Sequence, residues 1–179
     1  MKASKKIVGI DAGYVNFAVC AIDTANVDHP YYWMCRPLFK GDFSEEKLVN
    51  AVYAWINSPE IKKLLDEADE IMLERQMTMR FQAINHCVRF LHFAKTKEVN
   101  PKTLAAFFKL PTKRRAKKKA AVDLVSSKVV FPIKTGKKDD LADSYLLALY
   151  PALIEGLVKN QTWVEAEPKT KKQKILSLV

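Results

Sequence analysis

Two short apolar runs near the start of the chain constrain its fold more than any other feature. The first, KIVGIDA at residues 6–12, stops at a small, flexible Asp-Ala-Gly, and the second, NFAVCAID at residues 16–23, begins one tight turn later. Apolar runs on either side of a short turn are typical of a β-hairpin. A third run, YYWMCRPLF at residues 31–39, is rich in aromatic and β-favouring residues, with Pro37 near its end. These runs predict a three-stranded antiparallel meander.

The pattern changes from strands to helices after this meander. Ser44 is a good N-cap, and two glutamates and apolar residues at helical spacing follow it. Ser58 and Pro59 predict a second helix start, capped by Ser58, and that helix runs to about Glu67. A short apolar strand, EIMLE at residues 70–74, then ends in a carboxylate.

The second half of the chain adds further helices and one more strand. Residues 77–95 are predicted to be helical, and their apolar side chains spread so widely around the helix that we expect burial on two sides, including against a second subunit. KEVNPKTL at residues 97–104 is predicted to be a short fifth strand cut by Pro101, and an Asp-rich stretch opens the last helix. The order β-β-β-α-β-α-β-α indicates an α/β fold with a mixed sheet and helices on its faces.

Composition favours one globular domain. The chain has 179 residues, 49% hydrophobic and 28% charged, and we predict a domain over residues 1–160 followed by a basic, weakly ordered tail over residues 161–179. No apolar run approaches the roughly 18 to 20 uncharged residues that cross a bilayer, so no membrane association is predicted. Because a strand-like run begins six residues from Met1, we expect no signal or transit peptide and a cytoplasmic or nuclear location, at the replication site if the protein is viral.

The cysteines indicate the state of the thiols, and the net charge indicates the class of binding partner. Cys20, Cys35 and Cys87 are odd in number and show no CxxC spacing, which predicts buried, reduced thiols rather than a disulfide framework or a zinc site. The formal net charge of +10 indicates a polyanionic partner, with nucleic acid favoured over an anionic membrane. Seven cations fall within residues 109–119.

Carboxylates stand at three positions of the predicted fold. Asp11 ends the first strand, Glu74 ends the fourth, and Asp139, Asp140 and Asp143 lie at the start of the last helix. If the first and fourth strands are neighbours, these strand ends converge. Asp140 and Asp143 would share a helix face, and so would Asp139 and Asp143, and the spacing does not choose between the pairs.

Clustered carboxylates repel one another, and a divalent cation between them removes that cost. Hard oxygen ligands favour magnesium or manganese, and two such ions about 3.5 to 4 Å apart can activate a water and stabilise the leaving oxygen of a phosphodiester. A structural interpretation remains open for single residues: Asp139 is favoured as a helix cap, and Glu74 could be an exposed strand end paired with Arg75.

Three motifs together resemble a known family. The segments IVGIDAGYVNFAVCAID, IMLERQ and KKDDLADSYLLAL, in this order, resemble the RuvC-like Holliday junction resolvases, especially their poxvirus and fungal mitochondrial branch, over residues 5–156. The resemblance implies an RNase H-like fold whose five-stranded mixed sheet has three antiparallel strands, then two parallel ones, and flanking helices. It also implies a homodimer that binds four-way or branched DNA and cuts it symmetrically, with two magnesium ions per active site, which manganese can replace.

The resemblance also assigns residues. Asp11, Glu74, Asp140 and Asp143 fall on the family's catalytic, metal-binding acids, which leaves Asp139 as an extra neighbour. Asn16 and Gln76 match polar positions of the family and are expected to contact phosphate or support the metal ligands. The family's basic helix falls on TKRRAKKKAAVDLV, although such a run can also be a solvated helix face or a localisation signal. The predicted DNA-binding residues are Asn16, Gln76, Lys113, Arg114, Arg115, Lys117, Lys118, Lys119, Lys137 and Lys138.

The predicted function is therefore a structure-selective endodeoxyribonuclease that resolves junctions. One alternative is an RNase H-like nuclease on RNA/DNA hybrids, and another is a non-catalytic nucleic-acid-binding module. GIDAG also resembles the phosphate turn of actin-like ATPases, but that fold needs a second glycine-rich loop, and the chain has only five glycines.

Overall fold

A five-stranded mixed sheet forms the centre of the protein. The computed structural model describes residues 3–13, 15–132, 137–158 and 163, with the backbone alone at Arg80. The strands are β1 (Lys6–Asp11), β2 (Phe17–Asp23), β3 (Tyr32–Arg36), β4 (Glu70–Glu74) and β5 (Thr96–Val99). The helices are α1 (Glu45–Ile56), α2 (Pro59–Glu67), α3 (Met79–Leu91), α4 (Pro101–Phe107), α5 (Arg114–Ser126) and α6 (Lys138–Ile154), with a 3₁₀ turn at Phe93–Lys95.

The strand order across the sheet is β3-β2-β1-β4-β5. The first three strands pair antiparallel, as the hairpin pattern predicts, whereas β4 pairs parallel to β1 and β5 parallel to β4. The predicted α/β class, with three antiparallel strands followed by two parallel ones, is confirmed.

Alternating side chains of the strands build a core on each face of the sheet. Along β1, Ile7 packs into a cluster with α5 and α6, whereas Val8 and Ile10 pack into a second cluster with α1, α2 and α3. This is the period-two alternation of a strand buried on both faces. It places every odd-numbered residue of β1 on the α6 side.

Gly9 is the point where α6 crosses β1. A Cβ added at this residue would lie 2.2 Å from the backbone oxygen of Ser144 and 2.5 Å from the backbone nitrogen of Ala148. No side chain fits between the two backbones there, so glycine is what permits α6 to lie so close to the sheet.

The first two helices begin where the sequence predicts. The Ser44 side chain accepts a hydrogen bond from the Lys47 backbone N–H at 3.1 Å, the N-cap contact expected for α1. The predicted bounds of α2 and its N-cap position at Ser58 are confirmed, but the Ser58 hydroxyl donates to the Trp55 carbonyl at 2.7 Å rather than accepting a bond from the first turn.

Three predicted elements are longer than the observed ones. The third strand ends at Arg36, before Pro37, which lacks an N–H for the ladder. The helix predicted over residues 77–95 is α3 followed by the 3₁₀ turn, with His92 between them in a non-helical conformation. The fifth strand ends at Val99: Asn100 caps α4 by accepting from the Lys102 N–H at 2.8 Å, and Pro101 opens that helix rather than cutting a strand.

Within the single chain, one side of α3 is buried, and burial of its other side against a second subunit stays a prediction. Ile84 and Val88 are fully buried against the sheet. The exposed large apolar side chains on and around α3 are Met77, Met79, Phe90, Leu91 and Phe93, which are 50% to 86% exposed.

The cysteines and the C-terminal segment complete the fold. Cys20 is buried as predicted, whereas Cys35 and Cys87 are partly exposed, and all three are free thiols. Trp163 is 3% exposed and packs against Tyr145, with ring centroids 5.5 Å apart. The rest of the predicted tail lies outside the described residues, so the domain boundary stays a prediction. Within the described part of the chain, no helix has the length and apolar character needed to span a membrane.

Candidate active site

One pocket, of about 520 Å³, gathers the four predicted acids. It lies where β1 and β4 end, beneath the first turns of α6. Its lining residues are Asp11, Ala12, Gly13, Val15, Asn16, Glu74, Gln76, Phe81, Arg114, Lys117, Lys118, Lys137, Asp140 and Asp143. Carboxylates at its floor and cations at its rim therefore share one cavity.

The parallel pairing of β1 and β4 brings Asp11 next to Glu74. Ile10 is paired with Leu73, so the carboxylate-bearing residues are the next residues along each strand. Both of those apolar residues belong to the core on the α1–α3 side. Alternation then turns Asp11 and Glu74 to the opposite face, toward α6.

The first turns of α6 are fixed to β3 at Leu141, between the two aspartates. The indole N–H of Trp33 donates to the Leu141 carbonyl at 3.0 Å, and the Ser144 hydroxyl donates to the same oxygen at 2.8 Å. This anchor holds Asp140 and Asp143 on one helix face above the strand ends.

A buried amide fixes the end of β4. Asn85 is 1% exposed, and its side-chain nitrogen donates to the Glu74 carbonyl at 2.9 Å and to a Glu98 carboxylate oxygen at 3.1 Å. Neither Asn85 nor Trp33 was identified from the sequence. For Asn85 a signal existed, since a polar residue sits next to Ile84 on the apolar face of a helix, whereas Trp33 resembles any aromatic residue of a strand.

Burial raises the pKa values of three pocket acids, and repulsion from neighbouring carboxylates adds to the rise for two of them. Burial raises the pKa of Asp11 well above its usual value, and the charges of Glu74, Asp143 and Asp140 raise it further. Burial raises the pKa of Asp143 to about 7, a rise that Lys117 partly offsets. Burial also raises the pKa of Glu74. Loss of a proton from Asp11, Asp143 or Glu74 is therefore less favourable in this pocket than in water.

The pocket chemistry fits a hard divalent cation. The Asp140 side chain is 10% exposed, and its Oδ2 is buried without a hydrogen-bond partner among the described residues. A buried, unsatisfied carboxylate oxygen is costly unless a ligand meets it. Within the described residues, no three His, Cys, Asp or Glu side chains are already grouped closely enough to form a metal cage. The four acids line one pocket and interact through their charges, but they do not form a ready-made cage.

Six of the ten predicted DNA-binding residues line this pocket: Asn16, Gln76, Arg114, Lys117, Lys118 and Lys137. The other four lie outside it. Lys113, Arg115 and Lys119 are exposed near the start of α5, and the Lys138 ammonium lies over the Phe131 ring, 5.8 Å from its centroid.

Asp139 is not the helix cap favoured by the sequence. The N-cap position of α6 is Lys137, which makes no side-chain capping bond. Asp139 lies in the first turn, where its Oδ2 accepts a hydrogen bond from the Lys118 ammonium at 2.5 Å. Partial burial opposes ionisation of Asp139, but this contact with Lys118 holds its pKa below the usual value.

Neither a protein-family model nor a curated protein sequence matches the chain. Solved structures do. The yeast mitochondrial Holliday junction resolvase Ydc2 superposes with a TM-score of 0.64 at 18% identity, over 88% of this chain and 83% of the yeast chain. The fowlpox virus Holliday junction resolvase gives 0.59 at 17% identity, over 84% of this chain and 99% of the viral chain. Thermus thermophilus RuvC in complex with a Holliday junction substrate gives 0.57 at 11% identity, over 84% and 94%.

At these identities the similarity concerns the fold. The chain adopts a RuvC-like fold of the RNase H-like type, as the sequence resemblance implies. The roles of the individual pocket residues remain predictions.

Proposed function

We propose that the chain is a structure-selective endodeoxyribonuclease that resolves Holliday junctions and other branched DNA. The observation that carries this proposal is the convergence of Asp11, Glu74, Asp140 and Asp143 on one pocket whose rim is basic. The RuvC-like fold supports it, since the three compared structures are named as Holliday junction resolvases or as RuvC bound to such a junction.

The four acids would hold two magnesium ions, or manganese in their place. When bound, the ions supply a water of lowered pKa for attack on the phosphorus and positive charge for the departing 3′ oxygen. The protein itself supplies a buried environment around the acids. Burial of the acids keeps the local dielectric low, which strengthens every charge interaction in the pocket.

The rim residues would hold the DNA. Arg114, Lys117 and Lys137 place cations beside the acids, where they can bind the phosphates on either side of the cut. The amides of Asn16 and Gln76 line the same cavity and can donate hydrogen bonds to phosphate oxygens. A phosphodiester drawn toward the acids is thereby fixed over them.

We further propose that the chain works as a homodimer, because symmetric cutting of a junction needs two active sites. Met79, Phe90 and Phe93 are 73% to 86% exposed along α3 and the turn after it. On the neighbouring α1, Tyr53 is 66% exposed and Val49 is 46% exposed. Such an exposed apolar surface suits burial against a second copy of the chain.

A comparison of substrates tests the proposed function. The purified chain is incubated with a labelled synthetic four-way junction, a linear duplex of the same sequence and an RNA/DNA hybrid, each with and without magnesium. We expect magnesium-dependent cutting of the junction at paired positions and little cutting of the duplex. Preferential cutting of the hybrid would support an RNase H-like nuclease instead, and binding without cutting would support a non-catalytic module.

A further inference from the structure

One cation of α5 reaches into the acidic pocket and contacts two aspartates of α6. The Lys118 ammonium donates to Asp139 Oδ2 at 2.5 Å and to Asp140 Oδ1 at 3.2 Å. Its side chain is 32% exposed, so the contact lies partly away from bulk solvent. Lys118 therefore joins the basic helix to the acidic one at the candidate metal site.

The other lining cations do not make such a contact. Arg114, Lys117 and Lys137 line the same pocket. In the part of the chain that the structure describes, however, only Lys118 among the four lies within 4.0 Å of a carboxylate oxygen. Lys117 acts on Asp143 and Glu74 through longer-range charge interactions, whereas Lys118 makes the direct ion-pair contacts.

Asp139 and Asp140 differ in the hydrogen bonds that they accept from Lys118. The contact with Asp139 is the shorter one, and this residue is not among the four acids assigned to metal. Asp140 is assigned to metal and receives the longer contact on Oδ1, and no residue that the structure describes bonds its buried Oδ2. A cation that bound Asp140 would satisfy this orphaned oxygen and repel the ammonium beside it.

We propose that Lys118 is the internal counter-ion of the acidic pocket. In the metal-free chain it neutralises Asp140, and when a divalent cation binds there it transfers fully to Asp139. This inference rests on the proposed function, since it assumes that Asp140 is a metal ligand. It gives Asp139 a role that the resemblance leaves undefined, which is to retain Lys118 at the edge of the pocket after the metal has displaced it.

Loss of the counter-ion has a definite consequence for metal affinity. A divalent cation no longer has to displace an ammonium group, and the repulsion between the two positive charges is removed. Both effects act in the same direction. Removing the charge of Lys118 should therefore tighten metal binding, although the same residue lines a site expected to bind DNA.

Isothermal titration of the full, DNA-free chain with manganese chloride tests the inference. We expect Lys118→Met to bind manganese at least about fivefold more tightly than the wild type, the size of a single partly exposed charge contact. Lys119→Met removes the same charge from an exposed neighbour on α5 and is expected to change the affinity less than about twofold. Lys118→Arg keeps the charge and should bind manganese about as tightly as the wild type.

The outcomes separate this inference from the proposed function. Manganese binding by the wild type that Lys118→Met leaves unchanged or weakens would overturn the counter-ion role alone. Equal tightening by Lys118→Met and Lys119→Met would also overturn it, because the effect would then be one of net charge. If neither the wild type nor Lys118→Met bound manganese, the counter-ion role and the metal-dependent function would both be wrong.

Discussion

At the scale of single residues, ionisation of a buried pocket acid lowers the stability of the folded chain when no cation is bound. Asp143 has a pKa of about 7 against an ordinary value of 3.8, so the folded chain binds its proton more tightly than the unfolded chain does. Such a group stabilises the fold below the unfolded pKa, and that stability is lost as the pH rises through the folded pKa. The window of loss runs from about pH 4 to about pH 7.

Replacing this carboxylate with an amide should therefore stabilise the metal-free chain at high pH. We expect the melting temperature of Asp143→Asn to exceed that of the wild type at pH 8 with EDTA present, and the difference to shrink toward pH 4. Each kcal/mol of difference corresponds to roughly 2–4 °C for a chain of this size. Thermal melts followed by circular dichroism measure it.

Asp123→Asn, at an exposed position on α5, is the control and should show no such pH-dependent gain. A melting temperature of Asp143→Asn below that of the wild type at pH 8 would show that the ionised Asp143 carboxylate does not destabilise the folded chain.

At the scale of elements, the position of α6 over β1 depends on the absence of a side chain at Gly9. Both atoms that an added Cβ would meet most closely belong to the backbone of α6, so they cannot move aside as a flexible side chain would. We expect Gly9→Ala to lower the free energy of unfolding by roughly 1–3 kcal/mol or more, measured by urea denaturation. A loss below about 0.5 kcal/mol, which is typical of a surface substitution, would mean that α6 does not lie this close to the strand.

The anchor between β3 and α6 makes a second prediction at this scale. Trp33→Phe keeps an aromatic ring but removes the N–H that holds the Leu141 carbonyl. We expect this variant to bind manganese several-fold more weakly, because Asp140 and Asp143 are less firmly placed. Trp55→Phe is the control: its indole lies in the core on the opposite face of the sheet, and within the described part of the chain its N–H has no partner to lose. Equal manganese affinity of the two variants would remove the positioning role of Trp33.

Element types were largely predictable because strand and helix periodicity leaves a clear pattern in the sequence. The same alternation implies that Asp11 and Glu74 share a face, but only the parallel pairing of β1 with β4 makes them neighbours. The start of α4 was missed because Pro101 suits both a strand end and a first helical turn. Asp139 was misassigned because its partner, Lys118, is 21 residues away in the chain, and no local pattern reports such a contact.

At the scale of the whole molecule, the exposed apolar surface of α3 predicts self-association. Phe90 is 86% exposed on this helix. We expect the wild type to sediment as a dimer at micromolar concentration and Phe90→Asp to sediment as a monomer, since a buried charge without a partner disfavours the interface. Val130→Asp is the matched control, because Val130 is 91% exposed outside α3 and should leave the dimer intact. Dissociation by Val130→Asp alone would place the interface elsewhere.

The most direct test of the catalytic assignment is a paired binding and cutting measurement on Asp11→Asn. The wild type and the variant are titrated with a labelled four-way junction in calcium to measure binding, and are then assayed in magnesium for cutting. We predict that the variant binds the junction within about threefold of the wild type, because phosphate contacts from the basic rim dominate affinity. We also predict that it cuts at least about a hundredfold more slowly, as expected when one ligand of a catalytic metal is lost. Cutting by Asp11→Asn at the wild-type rate would contradict the assignment of this pocket as the catalytic centre.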